Sequence, residues 1–257
     1  MHVGPVRHTI AGARETANGT PMLPGTAPAG GRPAPILRLH PTRYCYTGDA
    51  SPSAPGGITV IYKDLIADEQ RTRQVIADAA TALAQGRNCL VLTNWTAHLD
   101  KLAGALLAMG HDPVILRGGM GAKARAAALA RLQPQPGGPP LLVVATGPYA
   151  GEGFDCPALD TLFLAAPVAQ KGRLVQYAGR ILRPYDDKAT AEVHDYHDEL
   201  TGVLASSLAK RAPGYTSLGF PDPRRLPYTP SANAAASSQY QSPSSSGSSP
   251  CSAHQAR

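Results

Sequence analysis

Short, almost wholly apolar runs recur down the middle of this chain, each long enough for one strand and too short for a buried helix. Cys89-Leu-Val-Leu-Thr93, Pro113-Val-Ile-Leu116, Leu141-Leu-Val-Val-Ala145 and Leu162-Phe-Leu164 lack the alternation of a half-exposed sheet. They predict strands buried on both faces. Between them lie segments with apolar residues at helical spacing: Leu65–Ala84 stopping at Gly86, Thr96–Met109 stopping at Gly110, and an alanine-rich stretch over Gly121–Gln133. A helix over Gly172–Leu182, a last strand over Glu192–Tyr196 and a helix over Glu199–Lys210 complete the pattern. Strand and helix alternating in this way specify an α/β fold, a single doubly wound parallel sheet with helices on both faces, over residues 58–212.

The flanks read differently. Residues 1–57 are rich in Gly, Pro, Ala and Thr and predict a disordered or remnant segment, and residues 213–257 run into a low-complexity Ser/Pro-rich tail. The chain has 26 glycines and 25 prolines in 257 residues, so one core domain with disordered ends is expected rather than two domains. A formal net charge of +6 favours an acidic partner such as nucleic acid, although solubility charge explains it equally well. Cys45, Cys89, Cys156 and Cys251 are scattered without a CxxC pair, which supports neither a zinc knuckle nor a disulfide framework and fits a reducing cytoplasm. No signal pattern opens the chain, and no apolar run approaches the ~18 residues a membrane span needs.

In open parallel sheets ligands bind beyond the carboxyl ends of the strands, so the loops there are where function is sought. After the first apolar run, Thr93 and Asn94 stand at a helix N-terminus, where they serve as caps or as donors to a nucleic-acid phosphate. After the second, Arg117-Gly118-Gly119 leads toward Lys123 and Arg125; no glycine precedes Lys123 and Ala124 follows it, which excludes a GxxxxGK[ST] phosphate loop. After the third, Thr146 opens the loop Gly147-Pro-Tyr-Ala-Gly151-Glu-Gly153-Phe-Asp155-Cys-Pro157, whose glycines and proline suggest a shaped turn in which Asp155 accepts from a ribose hydroxyl or caps a short turn. The fourth leads into Gln176-Tyr-Ala-Gly179-Arg180-Ile-Leu-Arg183. Residues three apart share a helix face, so Arg180 and Arg183 can grip one anion, and guanidinium forks suit phosphate oxygens.

Taken in order, these segments resemble the C-terminal RecA-like domain of superfamily 2 helicases, of the DEAD/DEAH-box and restriction-subunit-like branch, over Leu90–Pro184. Leu90–Thr93 with its following helix is similar to motif IV, Thr146 through Pro157 to motif V, and Gln176–Arg183 to motif VI in its QxxGRxxR form. The resemblance implies that Arg180 and Arg183 reach the γ-phosphate of ATP as arginine fingers, that Gly153, Asp155, Gln176 and Gly179 belong to the same nucleotide site, and that Thr146 touches the nucleic-acid backbone. Thr93, Asn94, Arg117 and Gly118 would lie along the bound strand, with DNA favoured over RNA.

Phosphoryl transfer also needs a lysine loop and acids that hold Mg²⁺. The family carries both on a first RecA-like domain, so ATP would be shared with that domain and Mg²⁺ held only through it. Residues 1–57 are too few and too polar to be that domain, and Asp68-Glu69-Gln-Arg71 sits in a helical pattern with its acids on a solvated face. The expectation is half of an ATP-dependent helicase, inactive alone, that needs a separate first-half ATPase domain. A nucleic-acid-binding module that lost the motor is the alternative. An unrelated transfer enzyme would have to use Glu152, His98 or His194 as its acid, base or nucleophile. His194 and His197 face opposite sides of a strand, so no metal pair is expected.

Overall fold

The computed structural model describes residues 31–134, 137–147, 155–168 and 171–230. They form one six-stranded sheet in which every pairing is parallel, with the order β1-β6-β5-β2-β4-β3. The strands are β1 Ala34–Pro41, β2 Cys89–Thr93, β3 Val114–Leu116, β4 Leu142–Thr146, β5 Thr161–Leu164 and β6 Thr190–His197. The helices are α1 Gly57–Ala67, α2 Glu69–Ala84, α3 Thr96–Ala108, α4 Ala122–Ala130, α5 Lys171–Ile181 and α6 Gly202–Ser217. No described helix is long and apolar enough to cross a membrane.

The continuous apolar runs have the expected cause, because successive side chains enter two different cores. Leu90, Leu92, Val143, Ala145, Leu162 and Leu164 face one side, packed with Ala128 of α4, Leu174 and Tyr177 of α5 and Tyr215 of α6. Cys89, Val91, Leu142, Val144 and Phe163 face the other, against Val75 and Ala79 of α2 and Leu99, Leu102 and Leu106 of α3. Helices therefore cover both faces, as the period-2 geometry of a doubly buried strand demands.

Three boundaries differ from the sequence reading. The segment expected to lie outside the fold contributes β1, whose residues pair with β6 from Ala34↔Thr190 to Pro41↔His197. Its signal is weak because it alternates: Leu37 and Leu39 are buried beside a polar His40 that is buried as well. At the other end α6 runs past Ala212 to Ser217 despite Pro213, and the turn Pro223–Arg225 and Thr229 extend the fold, with the Thr229 amide donating to the Leu39 carbonyl at 2.6 Å. The single helix expected over Leu65–Ala84 is two helices, broken at Asp68, whose carboxylate accepts from the Arg71 amide at 2.6 Å as an N-cap.

The carboxyl end of β6 is fastened by buried ions. Asp195 accepts from Arg211 Nε and Nη2, both at 2.9 Å, and from the Tyr215 hydroxyl at 2.7 Å, and this bidentate pairing raises the pKa of Arg211 against its desolvation. Asp198 accepts from Arg71 Nε at 2.8 Å and from Thr42 at 2.7 Å. Removing one partner of a buried pair strands the other charge, so Asp195→Ala should cost roughly 3–5 kcal/mol in urea denaturation.

His40 and His98 are buried and His194 is largely so, and their surroundings favour the neutral form of all three. His40 hydrogen-bonds His194 at 2.9 Å, and His98 hydrogen-bonds Thr93 at 2.9 Å. Burial lowers all three pKa values, that of His98 to about 3; Asp78 and Asp195 oppose the shift at His40, while Arg38 adds to it at His40 and His194. The unfolded histidines titrate near 6.5. Below that pH the unfolded chain takes up protons that the folded one refuses, so stability should be full above about pH 7 and fall as pH drops from about 6.5 toward 5. A thermal midpoint that stays flat across that window would contradict this.

Candidate nucleotide and nucleic-acid interface

The candidate residues fall into two clusters joined by one helix. The last residues of β2 and β4 are register partners, so Thr93 and Thr146 stand side by side on central strands. Both are buried, and the Thr93 hydroxyl is committed inward, bonded to His98 and lying 3.4 Å from the Trp95 amide that it accepts from. Asn94 is exposed at the start of the next segment and donates to the Pro167 carbonyl at 3.4 Å, which ties it to the chain entering α5.

Gly147, directly after Thr146, is where backbone and side chains approach too closely for any other residue. A Cβ at that position would lie 2.5 Å from the Tyr177 hydroxyl oxygen and 2.8 Å from Asn94 Oδ1. Tyr177 is itself buried, at 2% exposure, so it has little room to withdraw. Neither Gly147 nor Tyr177 was assigned a role from sequence, although both lie inside the motifs singled out there. The only local signal was the glycine following Thr146 at a strand end.

The second cluster lies toward the other end of α5. Arg183 forms an ion pair with Asp155, and both side chains are largely exposed. Arg180, one turn before, is partly buried; desolvation first, and then the neighbouring Arg183 guanidinium, lower its pKa, while Asp155 opposes them. The two arginines and the carboxylate thus share one neighbourhood, although Arg183 stands in a bend two residues past the end of α5 and not on a helix face with Arg180. Gln176 is exposed on the same helix, and around Gly179 nothing lies within 4 Å of where a Cβ would stand. Tyr177 lies one helical turn before Arg180, so α5 carries the arginines and also touches the Thr146 loop.

Arg117 and Gly118 stand apart, at the end of β3 on the sheet edge. Arg117 Nη1 donates to both carboxylate oxygens of Asp100 on α3, at 2.8 and 3.0 Å, a contact that no sequence spacing announced. Gly118 is exposed, and Gly119 beside it takes φ 78°, the left-handed conformation a glycine allows. Gly153 and Glu152 lie outside the described residues. Of the other two candidates for transfer chemistry, His98 is buried inside the fold and His194 keeps 12% of its side chain exposed. Asp68 caps α2, and Glu69 is exposed and pairs with Lys101 at 2.8 Å. Among the described residues no group of three or more His, Cys, Asp or Glu side chains could hold a metal ion.

Residues 71–185 match the family model described as "Helicase conserved C-terminal domain". No curated protein matches the chain. Among solved structures, T4 UvsW aligns over 72% of this chain and 39% of its own at 18% identity and a TM-score of 0.48. Saccharomyces cerevisiae Dbp5 bound to RNA and ADP BeF3 aligns over 74% and 40% at 12% identity and 0.48. The C-terminal part of the Fun30 ATPase domain aligns over 55% and 46% at 12% identity and 0.44. The chain thus spans less than half the length of each of these proteins. Residues 71–185 are therefore similar to a helicase conserved C-terminal domain, and they lie within the six-stranded parallel α/β sheet.

Proposed function

We propose that this domain is the C-terminal half of an ATP-dependent superfamily 2 helicase motor, and that it works against a first RecA-like domain on this polypeptide or another. The observation that carries the reading is the position of α5. Arg180, Arg183 and Asp155 meet at one end of this helix, and its Tyr177 packs against Gly147 beside Thr146 and Asn94. One rigid element therefore joins a phosphate-gripping cluster to a strand-contacting cluster, which is the linkage a motor needs. The 257 residues contain no GxxxxGK[ST] loop, so the lysine that cradles the phosphates, and Mg²⁺ with it, belong to the first domain.

In this reading Arg180 and Arg183 approach the γ-phosphate across the cleft between the two domains, Asp155 accepts from the ribose, and Gln176 and Gly179 face the nucleotide. Gly153 completes the loop that carries Asp155. Thr146, Asn94, Arg117 and Gly118 offer donors and open backbone to nucleic-acid phosphates, with Thr93 aligning the segment from beneath. DNA is the favoured strand. Alone, the domain binds nucleotide weakly and does not turn it over.

The test mixes the chain with a first RecA-like helicase domain and single-stranded nucleic acid. Hydrolysis should appear only in the mixture and fall by about 10³ or more with Arg180→Ala. Silence in the mixture, together with nucleic-acid binding that weakens steeply with salt, would favour the alternative of a binding module without a motor.

Gly179 offers a second check. Glycine in a helix is less stable than alanine by up to about 1 kcal/mol, and here a methyl group would meet open space. Gly179→Ala should therefore stabilise the chain by a few tenths to about 1 kcal/mol, while lowering hydrolysis in the mixture. Stabilisation with undiminished hydrolysis would show that no nucleotide or partner surface approaches that face.

A further inference from the structure

Lys188 lies in the connection between α5 and β6 and is buried, at 8% exposure. Its ammonium donates to three main-chain carbonyls: Pro157 at 2.8 Å, Leu159 at 2.6 Å and Arg183 at 3.0 Å. An ammonium has three protons and no acceptor, so the set is complete. Two of the acceptors follow Asp155 in the chain, and the third is the carbonyl of Arg183 itself, just past the end of α5, where a cation suits the helix dipole.

Two further features mark the site as built. Asp187, immediately before Lys188, takes φ 60°, and it is the one non-glycine among the described residues with a positive φ. The backbone accepts a rarely populated conformation there as it turns the lysine inward. The segment after Asp155 is also pinned from other sides, with Asn88 Nδ2 donating to the Ala158 carbonyl at 3.1 Å and the Cys156 thiol donating to the Leu132 carbonyl at 3.3 Å. Burial lowers the Lys188 pKa to about 8, and Arg87 adds to this while Asp160 and Cys156 oppose it. A charge held against its own desolvation is better explained by geometry than by stability.

We propose that Lys188 is a positioning residue that fastens the Asp155 segment to the end of the arginine helix and thereby sets the Asp155–Arg183 pair. This rests on the reading of that pair as nucleotide-facing. No arginine can replace it, since a planar fork cannot converge three donors from one nitrogen.

The test compares the full chain with its Lys188→Met and Lys188→Arg variants in two assays. In amide hydrogen exchange on the chain alone, both variants should exchange about tenfold faster over residues 155–160 and 182–185, with β2 and β4 unchanged. In the mixture with a first RecA-like domain, kcat should fall roughly 10- to 100-fold while nucleic-acid affinity holds. Unchanged exchange in those two segments, or a rise spread evenly over the domain, overturns the proposal. So does a fall of kcat and affinity in the same proportion. If the wild-type mixture hydrolyses nothing, the motor reading fails by itself, and the exchange pattern still decides whether Lys188 holds the two segments together.

Discussion

One buried guanidinium holds the carboxyl edge of this sheet in register. Arg71 enters from α2 with 2% of its surface exposed, bonds Asp198 past the end of β6 and the Ala165 carbonyl past the end of β5, and lies over the Tyr196 ring at 5.7 Å. Asp198 in turn takes the Thr42 hydroxyl from the segment after β1. Four elements thus converge on one ion pair, each bond strengthened by charge and by the low local dielectric. The chain beyond Ala165 runs to Pro167, where Asn94 holds it, and then into α5. The direction in which the arginine helix leaves the sheet follows from these contacts.

That direction decides where the arginines stand. The Arg183–Asp155 pair is exposed, and such pairs are worth about 0–1 kcal/mol, so it orients the side chains without locking them. A polyphosphate, with more charge and more acceptor oxygens, can replace the carboxylate at little cost. The Thr146 side behaves differently. Thr93 is spent on His98, and Gly147 is wedged between Tyr177 and Asn94. One cluster is adaptable and the other rigid, and both are carried by α5.

The sheet was legible because doubly buried strands are predominantly apolar, and β2, β4 and β5 each carry their one threonine only at an end. β1 escaped that reading because its buried His40 bonds His194 on the neighbouring strand, and a polar residue partnered at long range leaves no local signature. Likewise Pro213-Gly214 reads as a helix stop, yet packing of Tyr215 onto Asp195 carries α6 through it. Within the site, Arg180, Arg183 and Asp155 were visible, since each lies in a segment whose composition already stands out in the sequence. Tyr177 and Lys188 were not, because their roles depend on contacts with Gly147, Pro157 and Leu159 that only the folded sheet brings near.

The central claim is that the arginine cluster is half of a nucleotide site and recognises the terminal phosphate. It is tested most directly by measuring how tightly the chain associates with a first RecA-like domain loaded with a non-hydrolysable ATP analogue or with ADP. The account predicts association at least roughly tenfold tighter with the ATP analogue, a difference that disappears in Arg180→Ala. Equal affinity for the two nucleotide states in the wild-type chain would contradict it.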